Sequence, residues 1–121
     1  MPARVLQVGY DPGLVRVREL ALAQSGFSVV SVLGNPEACR KLAETAPFDV
    51  FLIGWSTAYE DRKAIVGWMK ERWPKIPVIA IHDTFRSPIP GADIAATHDT
   101  PEEWISAVER AARLIGEPDV S

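Results

Sequence analysis

Five short runs rich in β-branched and apolar residues recur along the chain, at 4-RVLQV-8, 27-FSVVSV-32, 50-VFLI-53, 77-PVIAIH-82 and 94-IAAT-97. Stretches of helical pattern follow most of them. Parallel neighbours in a sheet need crossover connections, which are helical and right-handed in the great majority of cases, so this alternation predicts a small doubly wound α/β domain with a five-stranded parallel sheet covered on both faces. The run 77-PVIAIH-82, apolar without alternation, reads as a strand buried on both sides.

The helices announce their own starts. Asp11 followed by Pro12 is an N-cap with proline at the first helical position, and Leu14, Val17, Ala21 and Ser25 recur at helical spacing as the face expected to pack on the sheet, up to Gly26. A second start at 35-NP-36 opens a helix through Leu42, and Ala58 to Trp73 is helical again, with Ile65, Trp68, Met69 and Arg72 on one stripe before Pro74 ends it. In 100-TPEEW-104 the Thr, Pro and Glu stand where a capping box wants them, and Trp104, Ile105, Val108, Ala112 and Ile115 face one way along the last helix. Only the segment from His82 to Pro90 breaks the rhythm. It is short and carries Pro88 and Pro90, so a helix there is expected to be shortened or missing.

Composition limits the function classes. The 121 residues suit one domain, residues 1–121, with an ordered core of about 3–116, and 47% hydrophobic with 24% charged residues is globular composition. A net charge of −3 gives no overall positive field to gather nucleic acid or anionic lipid, so neither is expected as a direct partner. The single cysteine, Cys39, closes no intramolecular disulfide, and the absence of a leader-like or long apolar stretch reads as cytoplasmic and soluble.

Folds of this type place their sites beyond the carboxyl ends of the strands, here Gly9 to Asp11, Gly54 to Thr57, His82 to Thr84, and His98 with Asp99. Motifs at those places carry a resemblance. The stretch 8-VGYDP-12 resembles the V-D-D-D-P of bacterial response-regulator receiver domains, 77-PVIAIHD-83 resembles their P-V-I-x-L-T-A, and 91-GAD-93 and 101-PEEW-104 resemble G-A-D and P-E-E-L. In this order and spacing the chain is similar to a receiver (CheY-like, flavodoxin-like) domain over nearly its whole length.

The resemblance also implies what is missing. The acidic pair with which receivers help to hold a divalent cation matches Gly9 and Tyr10, leaving Asp11 outside it, and the phosphate-accepting aspartate matches Gly54. The Ser or Thr after the fourth strand, the Lys after the fifth and the aromatic residue before that Lys match His82, His98 and Ala95. A hard cation needs several oxygen ligands, which one peripheral carboxylate does not provide. The resemblance therefore implies a degenerate pseudo-receiver with a vestigial phosphorylation pocket, no catalytic activity, no cofactor and no metal. It implies a phosphorylation-independent interaction module of two-component signalling, whose partner is a signalling protein such as a kinase or another receiver, or a second copy in a homodimer.

Two alternatives remain open at this stage. His82, Asp83, His98 and Asp11 are a candidate metal-binding or hydrolytic set, since two imidazoles and a carboxylate can hold zinc with a position open for water. The vacated pocket, bordered by Tyr10 and Trp55, could instead take a small ligand. For partner contact the expected residues are Trp55, on the rim after Gly54, together with Phe85 and Ile89 of 84-TFRSPIP-90. The competing expectation is that Phe85 and Ile89 fold inward over the sheet.

Overall fold

The computed structural model describes residues 2–44, 48–82, 88–97 and 100–116, and the side chains of these as far as Arg113. Its strands are β1 (Arg4–Gly9), β2 (Ser28–Leu33), β3 (Val50–Ile53), β4 (Val78–His82) and β5 (Ile94–Thr97). They form one parallel sheet in the order β2-β1-β3-β4-β5. The helices are α1 (Pro12–Gln24), α2 (Asn35–Glu44), α3 (Tyr59–Arg72) and α4 (Pro101–Gly116). No helix stands among the described residues between β4 and β5, in keeping with the proline-bearing sequence there. No helix among the described residues is long and apolar enough to cross a membrane.

Alternation along each strand divides the core. Leu6, Val8, Phe51, Ile53, Val78 and Ala80 face α2 and α3, where they meet Ala38, Leu42, Ile65, Val66 and Met69. Phe48, Phe51, Trp73 and Trp68 extend this side as a chain of tilted and edge-on rings with successive centroids 6.4, 5.8 and 5.5 Å apart. On the other side Val5, Val50, Leu52, Ile79, Ile81 and Ala96 meet Leu22 of α1 and Trp104, Ala107, Val108 and Ala111 of α4.

Three expectations are corrected. The buried stripe of α1 is Val15, Arg18 and Leu22, whereas Val17 is 62% exposed and Ser25 is also exposed. An arginine lies on the inner face, so a pattern that assigns arginine to water rotates the helix away from its true seat. On α3 the inner face is Arg62, Ile65, Val66 and Met69; Arg72 lies outside, its guanidinium over the Trp68 ring at 4.6 Å. The Glu103 carboxylate, expected in a capping box, accepts instead from the Thr97 hydroxyl at 2.6 Å, tying α4 to the end of β5.

Candidate functional site at the carboxyl edge of the sheet

The carboxyl ends of β1 and β3 lie side by side, with Val8 paired to Ile53 and the Gly54 amide donating to the Val8 carbonyl at 2.8 Å. This places Gly9, Tyr10 and Gly54 together, where the strand order reverses direction around β1 and β3. Asp11 sits at the start of α1 and is occupied as its N-cap, Oδ1 accepting from Gly13 N at 2.9 Å and Leu14 N at 3.2 Å. That carboxylate satisfies helix donors that would otherwise have no partner.

Close approach requires glycine at position 9 and crowds position 54. A Cβ built at Gly9 would lie 2.0 Å from Val15 Cγ2, so α1 packs into the volume a side chain at position 9 would fill. At Gly54 a Cβ would meet Arg18 Nη1 at 3.0 Å and the Val8 carbonyl oxygen at 3.4 Å. The guanidinium of Arg18, only 4% exposed, therefore faces the place where a residue-54 side chain would begin.

Arg18 is held by Gln7, which is fully buried in β1. Its Nη1 donates to Gln7 Oε1 at 3.4 Å, a long bond, while Gln7 Nε2 donates to the Val15 carbonyl at 3.2 Å and to Ser31 Oγ at 3.0 Å. The Ser31 hydroxyl in turn donates to Glu19 at 3.2 Å. Burial pulls the Arg18 pKa down to about 10, with the Asp11 charge acting against that fall, and the group remains a cation at neutral pH.

Arg62 reaches the same edge from the opposite face. It is fully buried; Nε donates to the Gly54 carbonyl at 2.9 Å and Nη2 to the Ile81 carbonyl, so one guanidinium bridges carbonyls just beyond β3 and near the end of β4. Beside it, the Tyr10 hydroxyl donates to Asn35 Oδ1 at 2.7 Å, and Asn35 Nδ2 donates to the Asp61 carbonyl at 2.8 Å. These bonds tie the loop after β1 to the first turns of α2 and α3. Burial holds the Tyr10 phenol well above the usual range, the Arg62 charge opposing this and Asp61 adding to it. Tyr10, Gly34, Asn35, Pro36, Thr57 and Asp61 line a cleft of about 270 Å³ above these bonds.

Of the other residues expected at the site, His82 ends β4 half-buried, paired in register with Thr97, and Ala95 lies exposed on β5 opposite Ala80. Asp83, Phe85, His98 and Asp99 lie outside the described residues. Among the described residues no three His, Cys, Asp or Glu side chains group as a metal site. The contact residues are also corrected. Ile89 is 3% exposed and packs in the α2–α3 core, so it takes the inward placement, burying its side chain between exposed Pro88 and Pro90. Trp55 is half-buried against the α1–α4 core instead of standing free at the rim.

Arg18 and Arg62 were absent from every sequence expectation. Pro12 at the start of α1 was the available signal: counting from its cap places Arg18 one turn beyond Val15 and one turn before Leu22, on a face whose apolar pattern it interrupts.

No protein-family model matches the chain. Solved structures share its fold. The signal receiver domain of a signal transduction histidine kinase from Syntrophus aciditrophicus is 24% identical, with TM-score 0.81 over 98% of this chain and 96% of that one. A CheY-like receiver domain from Methanospirillum hungatei is 16% identical, with TM-score 0.80 over 98% of this chain and 100% of that one. TrrA of Thermotoga maritima, in complex with Mg2+ and BeF, is 15% identical, with TM-score 0.78 over 90% and 98%. The fold is thus that of response-regulator receiver domains.

Among the described residues, the corresponding edge of this molecule does not fit a divalent cation. Position 9 offers no oxygen-bearing side chain and no room for one, Tyr10 has its hydroxyl on Asn35, and Asp11 caps α1. At Gly54 the nearest side-chain group is itself a cation, and hard metals are held by carboxylate and carbonyl oxygens.

Proposed function

We propose that the chain is a degenerate receiver, a single receiver-like unit spanning residues 1–121 that works as a phosphorylation-independent interaction module in signalling. The observation that carries this reading is the Arg18 guanidinium facing Gly54, where the resemblance expects a phosphate-accepting carboxylate. Acyl phosphate formation needs a carboxylate nucleophile, and Gly54 has none. The fold shared with receiver domains supports a signalling protein as partner, whether a kinase, another receiver or a second copy of this chain.

The reading is tested on the intact chain with acetyl phosphate, and separately with beryllofluoride, each with magnesium. The expected result is unchanged mass and unchanged amide shifts around Gly9 and Gly54. An acid-labile phosphoadduct, or a saturable magnesium-dependent shift at these amides, overturns it.

A further inference from the structure

We propose that Arg18 is a resident cation: a side chain of α1 that supplies from within the chain the positive charge to which a carboxylate at position 54 would bind. Returning the carboxylate would then create an internal ion pair and no metal site. The inference concerns the charge built into this edge and stands whatever partner the module has.

Four observations lead to it. The Arg18 guanidinium is the first group that a side chain at 54 would meet, at 3.0 Å from the Cβ position. It is the mobile end of a long side chain, so it can yield a few tenths of an ångström and turn a close approach into a hydrogen-bonded one. It has capacity to spare: a guanidinium carries five N–H donors, and the hydrogen bond found for it here is the long one to Gln7. It also cannot be diluted by solvent, because it is 96% buried by the complement of its 4% exposure.

The charged surroundings favour an anion at 54 over a cation. Arg62 reaches the Gly54 carbonyl from the α3 side, giving a second guanidinium against the same residue. Asp11, at the start of α1, is the opposing charge felt by Arg18, and its Oδ1 is committed to the helix cap. Tyr10 keeps its proton, Asp61 lies beyond Tyr10 on the cleft, and His82 ends the neighbouring strand β4. A divalent ion entering here would have to displace or outcompete two guanidinium groups already at this edge. A carboxylate would complete a buried pair, the arrangement in which removing one partner is costly because it leaves the other charge uncompensated.

The experiment is a double-mutant cycle at neutral pH. Gly54→Asp and Gly54→Asn are each made in the intact chain and in the Arg18→Met background, and urea unfolding is followed with and without millimolar magnesium. With Arg18 in place, the unfolding equilibrium constant of Gly54→Asp is expected to lie roughly tenfold or more below that of Gly54→Asn. In the Arg18→Met background that advantage disappears or reverses, and magnesium leaves the Gly54→Asp midpoint unchanged while Arg18 is present. Equal stability of Asp and Asn beside Arg18 overturns the proposal, as does magnesium-dependent stabilisation of Gly54→Asp with Arg18 intact. Should the Arg18→Met chains not fold, the Asp-against-Asn comparison in the intact background decides alone. Phosphate uptake by the unmodified chain would sink the functional reading and leave this cycle untouched.

Discussion

On the α2–α3 side of the sheet, the buried side chains contributed by β1, β3 and β4 are apolar and Arg62 of α3 is buried at the carboxyl edge, with no buried polar strand side chain beside it among the described residues, whereas on the α1–α4 side Gln7 of β1 and Arg18 of α1 are buried together beside Val5, Val50 and Leu52. The first face is stabilised by area removed from water and by ring contacts, and its tolerance is set by volume. The second contains an amide, a guanidinium and two glycines at close approach, and its tolerance is set by whether each polar atom and each gap keeps its partner. The difference teaches where change is affordable: the face whose buried strand side chains are apolar is the stabilising one, and the face where a buried amide meets a buried guanidinium is the one that fixes how α1 sits at the site.

The comparison can be broken most directly on the apolar face. Phe51→Ala removes a fully buried ring in contact distance of Phe48 and Trp73, and thermal or urea unfolding should show a loss of about 3–5 kcal/mol. A loss below that of the α1-side changes would mean that the apolar face is not the main stabilising one. Gly9→Ala, on the polar face, drives a methyl into Val15 and should cost about 1–3 kcal/mol by overpacking. Adding Val15→Ala should recover much of that cost, since it vacates the contested volume; failure to recover would place the strain in the backbone. The smallest effect is expected from replacing the polar pair as a unit. Gln7→Leu with Arg18→Met should stay within about 1 kcal/mol of the parent, because both partners leave together and no buried charge is stranded. A severe loss from that double change would show the pair to be a stabilising element in its own right.

The course of the chain was legible because strands buried on both sides advertise themselves. Val50–Ile53, buried at every position, has the bounds expected; the partly exposed edge strand Ile94–Thr97 has them too, and Asp11 caps α1 as its sequence implies. The site was legible only as a set of vacancies. Gly9, Tyr10 and Gly54 could be aligned with the motifs of receivers, but nothing in one-dimensional spacing says that residues 18 and 62 reach the same edge from opposite faces. Burial reverses the usual meaning of arginine, and the reading of α1 went astray at that residue. The amide of Gln7 finds its partners on α1 and β2, elements that the pattern of β1 does not specify.

Gln7 also determines how α1 can be seated at all. A helix held by aliphatic contacts alone has several berths of nearly equal energy, one turn apart, and chains can linger among them while folding. α1 lacks a continuous aliphatic stripe, since Arg18 interrupts Val15 and Leu22. The Gln7 amide addresses it at two fixed points, taking the Arg18 guanidinium on its oxygen and the Val15 carbonyl on its nitrogen. A slide of one turn would leave the amide facing aliphatic carbon and strand the guanidinium. A berth with polar groups at its centre is for that reason an unambiguous one, and α1 has a single address on the sheet.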